Sequence, residues 1–149
     1  MTGDVSNARE ETSAPDDTRA ALAARFNAVE ECYELMLAYA AQGLTSDSGS
    51  PLGGQVRDHL QRCDAALAGL ADLLTDFVAH TFDPVDPYRA FISVIDRDAR
   101  SAQAAVQVVL AQPFISSQLV DNLNASIHLR ALLTDLFLID EILKTTSPS

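Results

Sequence analysis

A regular alternation of apolar residues is the feature of this sequence that most constrains its fold. Between residues 56 and 77 the apolar positions follow one another at spacings of four and three without a slip: Val56, Leu60, Cys63, Leu67, Leu70, Leu74 and Phe77. Such spacing places all of these side chains on one side of an α-helix, as in helices that pack lengthwise against a neighbour. The sequence therefore predicts a long helix here with one buried seam.

The same alternation recurs in three further segments, so we predict helices over residues 16–42, 53–81, 87–112 and 116–144. We expect Asp86, ahead of Pro87, and Ser116 to act as N-caps of the last two. The connections between the last three helices are short, which makes those helices antiparallel neighbours. The sequence thus predicts an all-α, up-down-up-down antiparallel four-helix bundle over residues 15–146. Residues 1–14 are polar and without periodicity, and a disordered tail is predicted there.

Composition limits the kinds of partner that the chain can have. Its 149 residues suit one domain, 48% of them are hydrophobic, and only 6% are aromatic, as expected for Ala- and Leu-rich packed helices. The chain has 10 basic against 21 acidic residues and a net charge of −11. Phosphate backbones and anionic lipid surfaces need clustered Lys and Arg, so nucleic acid and membranes are poor partners. A protein or a cationic ligand fits this charge better.

The first twenty residues contain no apolar signal core, and no segment of the sequence is long and apolar enough to span a membrane. We therefore predict a cytoplasmic protein with reduced thiols. Cys32 and Cys63 lie inside apolar helical stretches, outside any metal or redox motif, and are predicted to be small core residues.

The sequence carries no motif for catalysis, a metal or a cofactor. A di-iron bundle needs a Glu-x-x-His step, a c-type haem needs CxxCH, and a phosphate-binding loop needs a lysine-threonine ending, and each of these is missing. No serine or cysteine has a nucleophile motif around it. We therefore predict a protein that is not an enzyme and that binds no metal or cofactor.

One short stretch suggests an alternative. His59-Leu60-Gln61-Arg62-Cys63 places a histidine on a helix with a basic residue three positions later. It resembles the H-x-L-K-G motif of histidine phosphotransfer domains, which are also small acidic four-helix bundles. That resemblance implies a phosphoacceptor at His59 assisted by Arg62. Gln61, Arg62 and Cys63 depart from the leucine, lysine and glycine of the motif, and a structural histidine is the simpler interpretation.

The last predicted helix is too apolar for one buried stripe. Its apolar residues fall into two seams. The first seam is Leu129, Leu132, Leu136, Ile139 and Leu143. The second is Val120, Ile127, Ala131, Leu138 and Ile142. A bundle buries one seam, so the second is either a wide flank of the core or an interface. We predict that it binds a protein, either a client or a second copy of the chain, in an adaptor-like, chaperone-like or self-associating role. In size and acidity the chain resembles small secretion and flagellar export chaperones, although no motif carries that resemblance.

Overall fold

The structure, a computed structural model, describes the backbone of residues 3–145 and the side chains of residues 16–145. Within this part of the chain there are six helices and no strand. The helices are α1 (Gly3–Ala40), α2 (Pro51–Leu67), α3 (Leu70–Thr81), α4 (Asp86–Leu110), α5 (Ser117–Ala125) and α6 (Ile127–Thr145). Helix α1 packs against α2, α3 and α5, whereas α4 packs against α2, α3, α5 and α6. The disordered tail predicted for residues 1–14 lies outside the residues whose side chains are described.

The count of four helices is wrong, because two of the predicted helices are each broken once. The helix predicted at 53–81 is α2 followed by α3, and the helix predicted at 116–144 is α5 followed by α6. A simple up-down-up-down succession of four helices therefore does not describe this chain. Helix α1 begins at Gly3, thirteen residues before the predicted start at residue 16. The other bounds differ by only a few residues, since α1 ends at Ala40 and α2 begins at Pro51.

The break between α2 and α3 lies at Ala68 and Gly69. Ala68 is extended, with φ −66° and ψ 121°, and Gly69 has a φ of +70°, a left-handed conformation that favours glycine. The break frees backbone carbonyls at the end of α2, and Arg25 of α1 satisfies two of them. Its Nη1 donates to the carbonyl of Ala66 at 3.1 Å and also to that of Ala68. Leu67 and Leu70 on either side stay buried, so the seam continues across the break.

The break between α5 and α6 lies at Ser126, which is extended with φ −64° and ψ 141°. The Oγ of Ser126 accepts a hydrogen bond from the backbone N–H of Leu129 at 3.3 Å, so this serine caps the new helix. Helix α6 consequently begins at Ile127 as a helix separate from α5.

The two predicted caps have different outcomes. Ser116 caps α5 as predicted, because its Oγ accepts from the N–H of Leu119 at 3.0 Å. Asp86 is instead the first helical residue of α4, and Val85 occupies the N-cap position without a side-chain hydrogen bond. Pro87 lies within the first turn, where its missing N–H costs nothing.

The core is a single cluster that contains the seam predicted for residues 56–77 and the first seam of α6. All seven seam positions between residues 56 and 77 are buried, and so are Leu129, Leu132, Leu136, Ile139 and Leu143 of α6. Cys32 and Cys63 are buried as predicted. A hydrogen bond with Cys63, followed by burial, raises the pKa of the Cys32 thiol, which keeps this thiol protonated and unreactive.

One end of the molecule is held by a polar cluster around Arg57 of α2. Its Nε donates to Asp47 Oδ2 at 2.9 Å, and its Nη1 and Nη2 donate to the carbonyls of Leu110 and Gln112, each at 3.1 Å. Asp47 Oδ1 accepts from the N–H of Ile115 at 2.7 Å. Burial raises the pKa of Asp47, but the hydrogen bonds from Arg57 and Ile115 outweigh it, so this pKa lies below its usual value. The cluster joins the α1–α2 and α4–α5 connections.

We expect Arg57→Ala to lower the free energy of unfolding by about 2–3 kcal/mol, because it removes three hydrogen bonds and leaves the Asp47 carboxylate without its cation. Arg62→Ala is the matched control on the same helix. It removes only an exposed ion pair with Asp58 and should cost less than about 0.5 kcal/mol. Urea denaturation followed by circular dichroism measures both, and equal losses would contradict the structural role of Arg57.

Candidate protein-interaction site

Helix α6 presents two apolar sides, and the core covers only one of them. On the other side, Ile127 is 75% exposed and Leu138 is 52% exposed. Ala131 and Ile142 are half-buried. We call these four residues the outer α6 face. Ile127 and Leu138 lie within about 20° of each other around the helix axis and about 16 Å apart along it. Leu138 points about 160° away from the buried Leu136.

The position of each predicted partner-binding residue can now be stated. Four of the five, Ile127, Ala131, Leu138 and Ile142, share the outer α6 face. Val120 does not belong to that face, because it is fully buried on α5 and the break at Ser126 separates the two helices. Phe137 was not predicted as part of the surface, yet it is 52% exposed and lies about 100° around the helix from Leu138.

Other exposed large apolar side chains are scattered over other elements. They are Leu37 on α1, Val108 on α4 and Phe114 between α4 and α5. Single exposed apolar residues are ordinary on protein surfaces, whereas several exposed apolar residues on one side of a helix are a candidate interaction surface. The outer α6 face is therefore the strongest candidate site in the described part of the chain.

A pair of carboxyl groups borders this face. Asp135 of α6 is only 9% exposed, and its Oδ2 has no hydrogen-bond partner. Its carboxyl group lies within hydrogen-bonding reach of Asp98 on α4, with Arg97 close enough to act on its charge. We call Asp98 and Asp135 the carboxyl pair. Buried carboxylates are normally paired with a cation or satisfied by several donors, and this one is not.

Burial, followed by the hydrogen bond and the negative charge of Asp98, raises the pKa of Asp135 to about 7, and Arg97 lowers it only in part. Two carboxyl groups at close range cannot both ionise without a large cost in free energy, so the carboxyl pair holds a proton at mildly acidic pH. Asp135 therefore changes its charge near neutrality, unlike an ordinary aspartate.

The phosphotransfer residues lie elsewhere, on α2. His59 is half-buried, and its Nδ1 lies 2.9 Å from the carbonyl of Gln55, one turn earlier. Arg62 turns to Asp58, with Nη2 3.0 Å from Oδ2, so its charge is already paired. Cys63, at the position of the motif's glycine, is buried in the core.

A groove lies where the end of α1 meets the start of α5, and Leu37, Ala40, Leu44, Ser117 and Asp121 are among its lining residues. The hydroxyl of Ser117 is already used there. Its Oγ donates to the carbonyl of Tyr39 at 2.6 Å and accepts from the N–H of Leu44 at 2.8 Å. These bonds join the two helices, so we interpret the groove as a structural junction rather than a ligand site.

Among the described residues, no three His, Cys, Asp or Glu side chains come together as they would around a metal ion. Residues 3–145 include no helix with the length and hydropathy needed to cross a bilayer. No protein-family model matches the chain, and neither curated proteins nor solved structures give a match.

The carboxyl pair was missed by sequence reasoning because its two members lie on different helices. One signal was present. His128, Asp135 and Ile142 are spaced by seven residues, which puts Asp135 on the flank between the two apolar seams. That flank faces a neighbouring helix, but the identity of the facing residue follows only from the way in which α4 and α6 pack.

We expect the free energy of unfolding of the wild type to fall as the pH rises, because of Asp135. Asp135→Asn should abolish this fall. In the unfolded chain Asp135 ionises near pH 4, whereas in the folded chain it keeps its proton up to about pH 7. Between these values the folded state binds more protons, so the free energy of unfolding falls as the pH rises. The variant should match the wild type near pH 4 and be more stable by about 2–4 kcal/mol at pH 8.

Urea denaturation at a series of pH values measures this difference. Asp140→Asn is the control on the same helix, because Asp140 forms a surface pair with Lys144 at 3.1 Å. It should leave the pH dependence unchanged. Parallel curves for wild type and Asp135→Asn would contradict an elevated pKa at Asp135.

Proposed function

We propose that this chain is a non-enzymatic interaction protein of the cytoplasm that binds a protein partner through the outer α6 face. The observation that supports the proposal is the alignment of Ile127 and Leu138, both more than half exposed, along one side of a helix whose opposite side is fully packed. Covering such side chains with a partner removes apolar surface from water at roughly 25 cal/mol per Å². An adaptor or chaperone-like role follows if the partner is a client, and a subunit role follows if it is a second copy.

The outer α6 face has the dimensions for an extended or helical segment of a partner. From Ile127 to Ile142 it runs about 22 Å along the axis, which is about four turns of helix. Amphipathic helices dock on such surfaces by anchors spaced one or two turns apart. Half-buried Ala131 lies between the larger side chains, and a small residue there leaves space for a partner's side chain.

We expect Leu138→Glu to abolish capture of a protein partner from cell extract while leaving the helical circular dichroism signal and the unfolding midpoint nearly unchanged. The charge would be introduced where the side chain already meets solvent, so the monomer loses little. Losing one central apolar anchor from an interface costs about 2 kcal/mol or more, roughly 30-fold in affinity at least.

Leu37→Glu on α1 is the matched control, since Leu37 is exposed to a similar degree, 47% against 52%. It should leave capture intact. Two results would contradict the proposal. The first is unchanged capture by Leu138→Glu. The second is unfolding of that variant, which would show that Leu138 belongs to the core.

A second candidate function is phosphotransfer through His59. One observation favours it: the contact of Nδ1 with the Gln55 carbonyl fixes the ring and leaves Nε2 as the nitrogen with a free lone pair. Incubation with radiolabelled acetyl phosphate should then label the wild type and not His59→Gln. Persistence of the label in the variant excludes His59 as the phosphoacceptor. Equal labelling of His59→Gln and a His128→Gln control would point to nonspecific modification.

A further inference from the structure

The carboxyl pair lies beside the outer α6 face. Asp135 is one heptad before Ile142, a member of that face, and one heptad after His128 at the start of the helix. On α4, Asp98 is half-buried, and Phe91 and Ala105, seven residues to either side, are half-buried as well. The carboxyl pair therefore has apolar residues one heptad away on both helices, namely Phe91 and Ala105 on α4 and Ile142 on α6.

Among the described residues no cation is hydrogen-bonded to Asp135, and Arg97 acts on it only through its charge. Helices α4 and α5 pack against α6. The charged groups that act on the Asp135 carboxyl are Asp98 and Arg97, both on α4, and within the described part of the chain neither α5 nor α6 contributes another. His128 is about 10.5 Å away along α6 and too far for a direct pair. Once the carboxyl pair is ionised, Oδ2 of Asp135 is a buried acceptor without a hydrogen-bond donor.

We propose that the partner of the outer α6 face is an amphipathic helix that carries an arginine or lysine in the middle of its apolar side, and that this cation pairs with Asp98 and Asp135. The proposal rests on the proposed function of the face and names the chemistry of its partner. The partner's apolar residues cover Ile127, Leu138 and Ile142. Its basic residue takes the place of the proton that the carboxyl pair holds in the free chain.

Charge favours this occupant over a second copy of the chain. Each copy has a net charge of −11, so self-association would bring two strongly acidic bodies together, whereas a basic helix is attracted to the same surface. A cation that is desolvated between two carboxylates also forms charge-assisted hydrogen bonds, and arginine can do so with both groups at once.

The pairing couples binding to the loss of a proton. Asp135, whose pKa is about 7 in the free chain, must ionise fully when the cation arrives. Affinity should therefore rise by about tenfold between pH 6 and pH 8, because ionisation costs binding energy at the lower pH and almost none at the higher. A neutral residue in place of the cation gives no such dependence.

The test is a selection of displayed helical peptides on the full-length chain at pH 8. The peptides are about 20 residues long, with leucine anchors at helical spacing and two random central positions on the same side. Arg and Lys should be enriched at the central positions on wild type and on the Asp140→Asn control, and not on Asp135→Asn. The best selected peptide should bind Asp135→Asn about tenfold more weakly at pH 8 and lose its pH dependence there.

The outcomes separate the two proposals. Binders that require Leu138 but show no basic enrichment, or equal affinity for wild type and Asp135→Asn, would overturn the cation proposal and leave the interaction surface standing. A selection without binders would count against both. A stable dimer at micromolar concentration that Leu138→Glu dissociates would place a second copy on the face and overturn the cation proposal as well.

Discussion

A helix on the outside of a packed domain can bury only one of its sides, and helix α6 carries apolar residues on two. Leu129, Leu132, Leu136, Ile139 and Leu143 fill the core, and each buried leucine or isoleucine contributes roughly 1.5–3 kcal/mol to folding. The opposite row is only partly covered, and its Ile127 and Leu138 are more than half exposed. Its presence on a helix of a strongly acidic chain makes that row the centre of the functional interpretation.

Polar interactions elsewhere in the molecule show how the fold satisfies its buried groups. Arg25 occupies carbonyls that the break after α2 leaves open, and Arg57 ties two connections together through Asp47 and backbone carbonyls. Ser126 caps the helix that begins beside it. Oδ2 of Asp135 differs from these groups because it has no hydrogen-bond partner. A buried acceptor without a hydrogen bond costs on the order of 1–3 kcal/mol. A partner's cation would recover that cost, which is why we interpret the carboxyl pair and the outer α6 face together.

The sequence was sufficient for the helical class and for the main seams of the core. It did not predict the burial of Val120, Leu123 and Leu133. Apolar spacing of four and three identified every buried seam position from Val56 to Phe77, and it separated the buried seam of α6 from the outer one. The same regularity concealed the two breaks. The step of three from Leu67 to Leu70 is kept across Gly69, so the period gives no sign that the backbone turns extended at Ala68. Ser126 likewise interrupts one continuous apolar pattern, and Val120 was assigned to the outer seam because the two helices were taken as one.

Sequence reasoning identified the outer α6 face but not the carboxyl pair. The helical period of α6 placed Ile127 and Leu138 on one seam, but it left open whether that seam was a flank of the core or exposed. The carboxyl pair depends on which residue of α4 lies opposite Asp135, and this depends on how the two helices are set against each other. Periodicity within one helix does not determine that offset. The identity of the partner depends in addition on the chemistry of a second molecule.

Thiol labelling of a Leu138→Cys variant tests the central claim most directly. Cys32 and Cys63 are buried, so they react slowly with a soluble disulfide reagent and leave the introduced thiol as the fast site. In the free chain at low micromolar concentration, the introduced thiol should react about as fast as it does in the unfolded variant, and an added partner peptide should protect it. Slow labelling of that thiol in the free chain would mean that the outer α6 face is already covered, and would contradict its role as an open interaction surface.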